Sequence, residues 1–234
     1  MIILYIPFTR DEDGDLGNRA AKWQENHSVN SAVKIKIIYH NDNYEDEEID
    51  PLSEIYVLGH GLEYDAEFIA NSYDASKAWY MDVGALSERF NEDFALILHK
   101  ISQIHLYCCG DQNKNKQLAQ NFQGLMVRNE FSEINYYAGI INLPDKRGQK
   151  WTYLQGWQIP VESTKQTLNK FECTLEQTKN HFRSVEATAL LIDLKKTQRY
   201  DHYLFSIKKA RQKLIAEKRE MALDDSKVQG CGPI

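Results

Sequence analysis

The amino-acid sequence predicts an α/β protein, with a mostly parallel sheet between layers of helices and a helical extension at the C-terminus. Two observations support this prediction. Apolar runs of strand length alternate with segments of helical periodicity through the first 160 residues, and beyond that point only helical periodicity remains. The chain has 234 residues, 42% of them hydrophobic, which is enough to bury a full core.

Five runs are predicted to be strands, and three segments between them are predicted to be helices. The strands span residues 2–8, 33–39, 55–58, 104–108 and 134–141, and the helices span 16–25, 86–100 and 115–129. Glycine and proline in residues 143–157 indicate a loop or hairpin. We therefore assign residues 1–160 to the α/β domain. Residues 161–234 form the predicted extension, a helical hairpin that would begin at Ser163, include Leu168 and end in a flexible tail.

Composition and charge exclude several classes of protein. The net charge of −6 argues against a general nucleic-acid binder, and the acidic segments 11–15 and 41–50 are typical of solvated loops. The four cysteines, at positions 108, 109, 173 and 231, do not form a disulfide scaffold, so we expect a reducing compartment such as the cytoplasm. No apolar stretch approaches the roughly 18 residues of a transmembrane helix. The first residues also lack the basic segment of a Sec-type signal.

Reactive side chains lie at the ends of two predicted strands. The run Glu-Ile-Tyr-Val-Leu-Gly that begins at Glu54 leads into His60 and Gly61, and the run Gln-Ile-His-Leu-Tyr that begins at Gln103 leads into Cys108 and Cys109. Parallel neighbouring strands carry their C-terminal ends to the same edge of a sheet, so these side chains should lie close together. A histidine and a cysteine supply the base and the nucleophile of a thiol enzyme.

The neighbouring residues suit this chemistry. Gly61 is a candidate to supply a backbone N–H for an oxyanion hole. A helix that begins soon after Gly110 would favour a thiolate at either cysteine, because helix N-termini attract negative charge. Strand alternation turns Cys108 and Cys109 to opposite faces, so only one of them can face His60.

At these residues the chain resembles the caspase-like cysteine peptidases. A hydrophobic strand ending in His-Gly, then a helix, then a hydrophobic strand ending in cysteine is the pattern of that superfamily, which includes caspases, legumains and the self-processing domains of large bacterial toxins. The resemblance covers about residues 1–156 and implies a caspase/hemoglobinase-like three-layer sandwich. Caspases have Gln-Ala-Cys-Arg-Gly where this chain has Leu-Tyr-Cys-Cys-Gly, so the toxin domains resemble it more closely.

The resemblance also implies residue roles and a function. His60 matches the catalytic histidine, Gly61 the oxyanion-hole glycine and Cys109 the nucleophile, with Cys108 as the alternative nucleophile. The following strand matches the wall of the pocket for the side chain before the cleaved bond, at Tyr137, Ala138 and Gly139. The implied protein is a cysteine endopeptidase or self-processing protease that acts on a protein or peptide without a metal or other cofactor. It would work in the cytoplasm or, as a bacterial effector, in a host cytosol reached by a non-Sec route.

Other hypotheses remain open. The chain could be a catalytically inactive relative that binds a partner protein through its helical extension, or an acyl-transfer or deamidating enzyme with the same dyad. A zinc site built from His60 and the two cysteines lacks the usual ligand spacing.

Residues 195–219 hold nine basic side chains against two acidic ones, which indicates a solvated helix face or a docking face for an acidic partner, an anionic membrane or a polyphosphate. Because inositol hexakisphosphate switches on the toxin relatives, an inositol polyphosphate is a possible activator.

Overall fold

A computed structural model describes residues 1–28, 31–62, 65–127 and 132–168 of the chain. Three helices lie in this part of the chain: α1 (Leu16–Ser28), α2 (Val83–Phe94) and α3 (Gln112–Leu125). Six strands form the central sheet: β1 (Ile2–Ile6), β2 (Ile35–Tyr39), β3 (Ser53–Leu58), β7 (Ile101–Tyr107), β8 (Glu133–Tyr136) and β12 (Gln166–Leu168). One small sheet contains β4 (His60–Gly61), β5 (Phe68–Ala70) and β6 (Tyr80–Asp82). A second small sheet contains β9 (Ile140–Ile141), β10 (Trp151–Leu154) and β11 (Trp157–Pro160).

The central sheet is mostly parallel, as the alternation of strands and helices predicted. Its strand order is β12-β8-β7-β3-β1-β2, and every pairing is parallel except that between β12 and β8. The two strands that lead to His60 and to the cysteines, β3 and β7, are direct neighbours. Helix α2 lies in the connection between them, as a crossover between parallel strands requires.

Helices cover both faces of the sheet. On one face, Trp23 of α1 packs its ring against Tyr56 and Tyr107 at centroid distances of 5.1 and 4.9 Å. On the other face, Tyr5 packs against Phe90 and Phe94 of α2 at 5.8 and 4.8 Å. Phe90 in turn contacts Phe122 of α3. The α/β class with a mostly parallel sheet is therefore confirmed, and helices on both faces are compatible with a layered sandwich.

Strands β1 and β2 are each two residues shorter than predicted, and two further elements differ from the bounds that their sequence patterns indicated. Helix α2 begins where the Asp82 carboxylate accepts a hydrogen bond from the Ala85 N–H, and it ends at Phe94 rather than at residue 100; a turn and a short 3₁₀ helix follow. The predicted strand 134–141 is divided into β8 and β9. The chain turns between them at Gly139, whose φ of 97° suits glycine.

Residues 161–168 differ most from the prediction. We expected a helix that begins at Ser163 and includes Leu168. Residues Val161–Thr164 instead form a 3₁₀ turn, in which the Ser163 hydroxyl donates to the Pro160 carbonyl. Leu168 then belongs to β12, which pairs with β8 and satisfies the backbone groups of an otherwise open sheet edge. The rest of the predicted helical extension, including the basic run, lies outside the described residues.

No helix in the described ranges is long and apolar enough to span a membrane.

Candidate active site

The ends of β3 and β7 bring His60 and Cys109 to the same edge of the central sheet. Leu58 of β3 lies opposite Tyr107 of β7 as the last pair of the ladder, and His60, in β4, and Cys109 each lie two residues further along the chain. Both side chains line one narrow cleft of about 20 Å³, enough for about one water molecule. The other lining residues are mostly apolar and include Leu16, Arg19, Trp23, Leu58, Tyr107, Ile141 and Leu143.

The two strand ends also meet through their backbones. Gly61, the residue after His60, packs so closely on Cys109 that a Cβ at this position would overlap the carbonyl oxygen of Cys109. Gly110 and Gly139 form an antiparallel bridge just beyond, with N···O distances of 3.1 Å and 2.7 Å. The backbone around the thiol is therefore fixed on both sides, by β4 and by the segment that follows β8.

The structure adds Asp15 to the residues that the sequence indicated. Its Oδ1 lies 2.8 Å from Nε2 of His60, so Nδ1 is the ring nitrogen left for proton exchange. Burial lowers the pKa of His60, the negative charge and hydrogen bond of Asp15 oppose this effect, and the positive charge of Arg19 lowers the pKa further. The net result is a His60 pKa below its ordinary value, which keeps the imidazole neutral near pH 7. A neutral imidazole can act as a base.

The Cys109 sulfur accepts a hydrogen bond from the Ile141 N–H at 3.3 Å. Burial raises the pKa of this thiol, while the Ile141 N–H and the charge of Arg19 act in the opposite direction and leave it above its ordinary value. The free thiol thus keeps its proton near pH 7. It needs a base in order to react, and His60 lines the same cleft.

Cys108 lies on the other side of the sheet, in the hydrophobic core. It is 3% exposed, and its sulfur lies 3.9 Å from Oδ1 of Asn115 in α3. Burial is the larger of two effects that raise its pKa to about 12, and the neighbouring Cys109 is the other. Of the two candidate nucleophiles, Cys109 is therefore the one that shares a cleft with His60.

Helix α3 begins close to the cysteines, at Gln112, but an anion already occupies its N-terminus. The Asp111 carboxylate accepts hydrogen bonds from the N–H groups of Asn113 and Lys114 at 2.9 and 3.1 Å. These two donors are therefore directed at Asp111. The cation that lowers the pKa of Cys109 is instead Arg19 of α1, which the sequence alone did not single out.

Of the predicted substrate-binding residues, Tyr137 and Ala138 are buried and Gly139 is half-buried, and all three have internal partners. The Tyr137 hydroxyl lies 2.5 Å from Nδ1 of His105, and the Ala138 carbonyl accepts a hydrogen bond from the Thr152 hydroxyl. Gly139 contributes its backbone to the bridge with Gly110. From this part of the chain, the side chains that line the cleft are Ile141 and Leu143. A role of residues 137–139 in substrate binding stays a prediction.

A second polar cavity of about 360 Å³ lies on the same face of the sheet, towards the N-terminal ends of the strands. His105 lines it, stacked on Tyr56 with ring centroids 4.1 Å apart. Its Nε2 is buried, lacks a hydrogen bond of good geometry and lies 3.4 Å from a Glu54 carboxylate oxygen. Lys150, which also lines this cavity, donates to the Tyr56 hydroxyl and pairs with Glu162. The two lysines and two glutamates that line this cavity balance in charge.

Within the ranges that the structure describes, no group of three or more histidine, cysteine, aspartate or glutamate side chains is arranged to hold a metal ion. No protein-family model matches the chain, and no curated protein matches its sequence.

Proposed function

We propose that this chain is a cysteine peptidase in which Cys109 is the nucleophile, His60 transfers protons and Asp15 orients His60. The observation that carries the proposal is the shared cleft of His60 and Cys109 at the C-terminal ends of two adjacent parallel strands. The Asp15 carboxylate, 2.8 Å from the imidazole, supports it, because a base must be held in one orientation to transfer protons efficiently.

The protonation states suggest a general-base mechanism. As the Cys109 sulfur attacks the carbonyl carbon of the peptide bond, its proton passes to Nδ1 of His60 and the carbonyl oxygen takes up the electron pair. The C–N bond then breaks, and His60 gives the proton to the leaving amine. Water attacks the resulting thioester, with His60 again accepting a proton, and the acid product leaves with the thiol restored.

The remaining groups of the cleft have supporting roles in this mechanism. The charge that forms on His60 during attack is stabilised by Asp15. We assign the oxyanion to backbone N–H groups near Gly61, since this glycine lies against Cys109 without a side chain between them. Arg19 lowers the pKa of Cys109 and so makes the thiol easier to deprotonate.

The finer assignment is the caspase-like superfamily, and within it the self-processing domains of bacterial toxins. The resemblance of the His-Gly and Cys-Gly strand ends supports it, together with the parallel neighbouring strands that carry them. On this proposal the substrate is a protein or peptide, the setting is the cytoplasm or a host cytosol, and an inositol polyphosphate is a candidate activator.

The test compares four forms of the full chain: wild type, Cys109→Ala, His60→Ala and Cys108→Ala. Each is incubated with peptidyl acyloxymethyl ketone probes and with a pool of fluorogenic peptides. We expect labelling and cleavage in the wild type and in Cys108→Ala, and neither in the other two variants. Labelling that survives Cys109→Ala, or that does not depend on His60, refutes the dyad. A wild type that never cleaves favours the inactive, partner-binding alternative.

A further inference from the structure

Asn71 occupies a buried position between the two segments that bring Asp15 and His60 together. It is 3% exposed and directly follows β5. Its N–H donates to the Trp79 carbonyl at 3.2 Å, and its Oδ1 accepts from the Trp79 N–H at 2.7 Å. Its carbonyl accepts from the Asp15 N–H at 3.2 Å, and its Nδ2 donates to the Glu12 carbonyl at 2.5 Å. All four polar groups of Asn71 thus form hydrogen bonds, and two of these bonds are with residues of the loop before α1.

This arrangement connects the loop of Asp15 to the strand of His60. Ala70, the neighbour of Asn71 in the chain, pairs with His60 across the β4–β5 ladder. On the other side, Gly14 has a φ of 60° and packs so tightly that a Cβ there would overlap the Asn71 carbonyl. Asn71 therefore joins the loop of Asp15 to β5, the strand that pairs with His60.

The start of the same loop, at residues 7–12, is fixed by a different set of hydrogen bonds. The Glu12 carboxylate accepts hydrogen bonds from the Thr9 N–H at 3.3 Å and from the Arg89 guanidinium of α2 at 3.2 Å. Arg89 also donates to the Pro7 carbonyl at 2.9 Å. These contacts attach residues 7–12 to α2 and do not reach β5. Asn71 joins this loop to β5, while α1, which follows Asp15, packs on the central sheet through Trp23.

We propose that Asn71 is a positioning residue that sets the contact between Asp15 and His60. The inference rests on the proposed function only in assigning that contact a catalytic purpose. A hydrogen bond weakens steeply once its distance and angle depart from their optimum. Asn71→Ala removes the side-chain hydrogen bonds to the Glu12 carbonyl and from the Trp79 N–H, whereas the bond from the Asp15 N–H to the backbone carbonyl of residue 71 remains. The loop of Asp15 is then held less firmly against β5, and its carboxylate shifts from the position that stabilises the charged form of His60.

The direct test is the titration of His60, followed by NMR of the imidazole protons in the full chain and assigned with His60→Gln. The charged or titratable groups described around this ring are Asp15, Arg19, Cys109, Tyr73 and Tyr107. Asp15→Asn removes the carboxylate charge. The resulting decrease in the pH midpoint of the His60 titration measures the whole effect of that charge. We expect Asn71→Ala to move the midpoint in the same direction, by a substantial part of that shift.

Asn91 provides a matched control. It is also a buried asparagine whose side chain makes two hydrogen bonds to backbone groups, with Leu125 and Val127, but it ties α2 to the end of α3. We expect Asn91→Ala to lower the melting temperature and to leave the His60 midpoint at its wild-type value. A folded Asn71→Ala protein with a wild-type midpoint overturns the proposal. If Asn71→Ala does not fold, Asn71→Ser is measured in its place under the same criterion.

A measurement of peptidase activity distinguishes a failure of this proposal from a failure of the proposed function. If the wild type cleaves peptides, Asn71→Ala should lower kcat and move the acid limb of the pH profile towards lower pH, with KM little changed. A change in KM alone counts against a positioning role. If the wild type shows no cleavage that depends on Cys109, the proposed function fails, and the His60 titration still decides whether Asn71 positions Asp15.

Discussion

Gly61 packs directly against the carbonyl group of Cys109, so the strand ends that carry the imidazole and the thiol meet with no side chain between them. Only glycine permits so close an approach of two backbone segments. Residue 61 must therefore be glycine for the backbone to pack in this way. This requirement is separate from the chemical role of His60.

The first prediction concerns this contact. Gly61→Ala introduces a methyl group where the Cys109 carbonyl lies. Neither group can rotate away, because the methyl carbon is bonded directly to the Cα atom and the carbonyl is part of the backbone. We expect the free energy of unfolding to fall by about 1–3 kcal/mol, as for other overpacked sites. The remaining folded protein should also lose labelling by thiol probes. Urea denaturation and probe labelling measure the two effects.

Gly124→Ala is the matched control for Gly61→Ala. Gly124 lies in α3, and a Cβ there has no heavy atom within 4 Å. Because alanine is the better helix former, this variant should be as stable as the wild type or more stable by up to about 1 kcal/mol. Equal stability of the Gly61→Ala and Gly124→Ala proteins would contradict the proposed close packing.

The second prediction is that the two adjacent cysteines differ in their rates of alkylation in the native protein. Burial raises the pKa of Cys108 to about 12, and its side chain faces the core, whereas Cys109 lines the cleft. Brief treatment with iodoacetamide near neutral pH, followed by peptide mapping, should modify Cys109 and leave Cys108 free. Both should react in urea. Native modification of Cys108 at an equal rate would show that the thiols are not on opposite faces.

The third prediction concerns Arg19, whose charge lowers the pKa of both Cys109 and His60. Arg19→Gln removes that charge, so both pKa values should rise. The alkylation rate of Cys109 near pH 7.5 should fall, and its midpoint should move to higher pH. Arg19→Lys keeps the charge and should stay close to the wild type. A pH profile of alkylation that is identical in Arg19→Gln and the wild type would rule out this electrostatic effect.

The sequence predicted the strand ends of the site because their signals are local. Each of the two strands is an apolar run that stops at a glycine-flanked reactive residue, and His60 and Cys109 lie where those runs indicate. Alternation also predicted correctly that the two cysteines face opposite sides.

Asp15 could not be predicted in the same way. Its segment, 11–15, has the composition of a solvated loop, and its contact with His60 exists only because α1 and β4 meet in the folded chain. The same limit applies to β12. Residues 163–168 were compatible with a helix locally, but the open edge of β8 decided their conformation.

The fourth prediction concerns Asn115, which is 4% exposed and ties the segment after β7 to that after β8. Its Nδ2 donates to the carbonyls of Cys108 and Tyr137 at 3.1 and 2.7 Å. Asn115→Leu leaves two buried carbonyls without this donor, so we expect a loss of about 2 kcal/mol or more in the free energy of unfolding. Asn113→Leu, on the exposed side of α3, should change stability by less than about 0.5 kcal/mol. Urea denaturation compares the two.

The fifth prediction is that His105 makes stability depend on pH. Its ring is 2% exposed and stacks on Tyr56, and burial lowers its pKa from the ordinary value of 6.5, although Glu54 acts in the opposite direction. The folded protein therefore binds a proton at His105 less readily than the unfolded chain does. As pH falls below 6.5, the unfolded chain gains protons first, and stability should decrease by up to about 1.4 kcal/mol per pH unit for such a group.

The pH window distinguishes His105 from its carboxylate partner. The close approach of His105 is the main reason that the pKa of Glu54 lies below its ordinary value of 4.5, so the stability that Glu54 contributes is lost only as pH falls below that value. Urea denaturation of His105→Phe between about pH 7.5 and 5 should give a flatter profile than the wild type, at lower overall stability, because the phenyl ring keeps the stacking but does not titrate. His60, whose pKa is also lowered, retains its part of the slope. His99→Gln, at an exposed position, should leave the profile unchanged. A His105→Phe profile as steep as that of the wild type would show that His105 does not set this dependence.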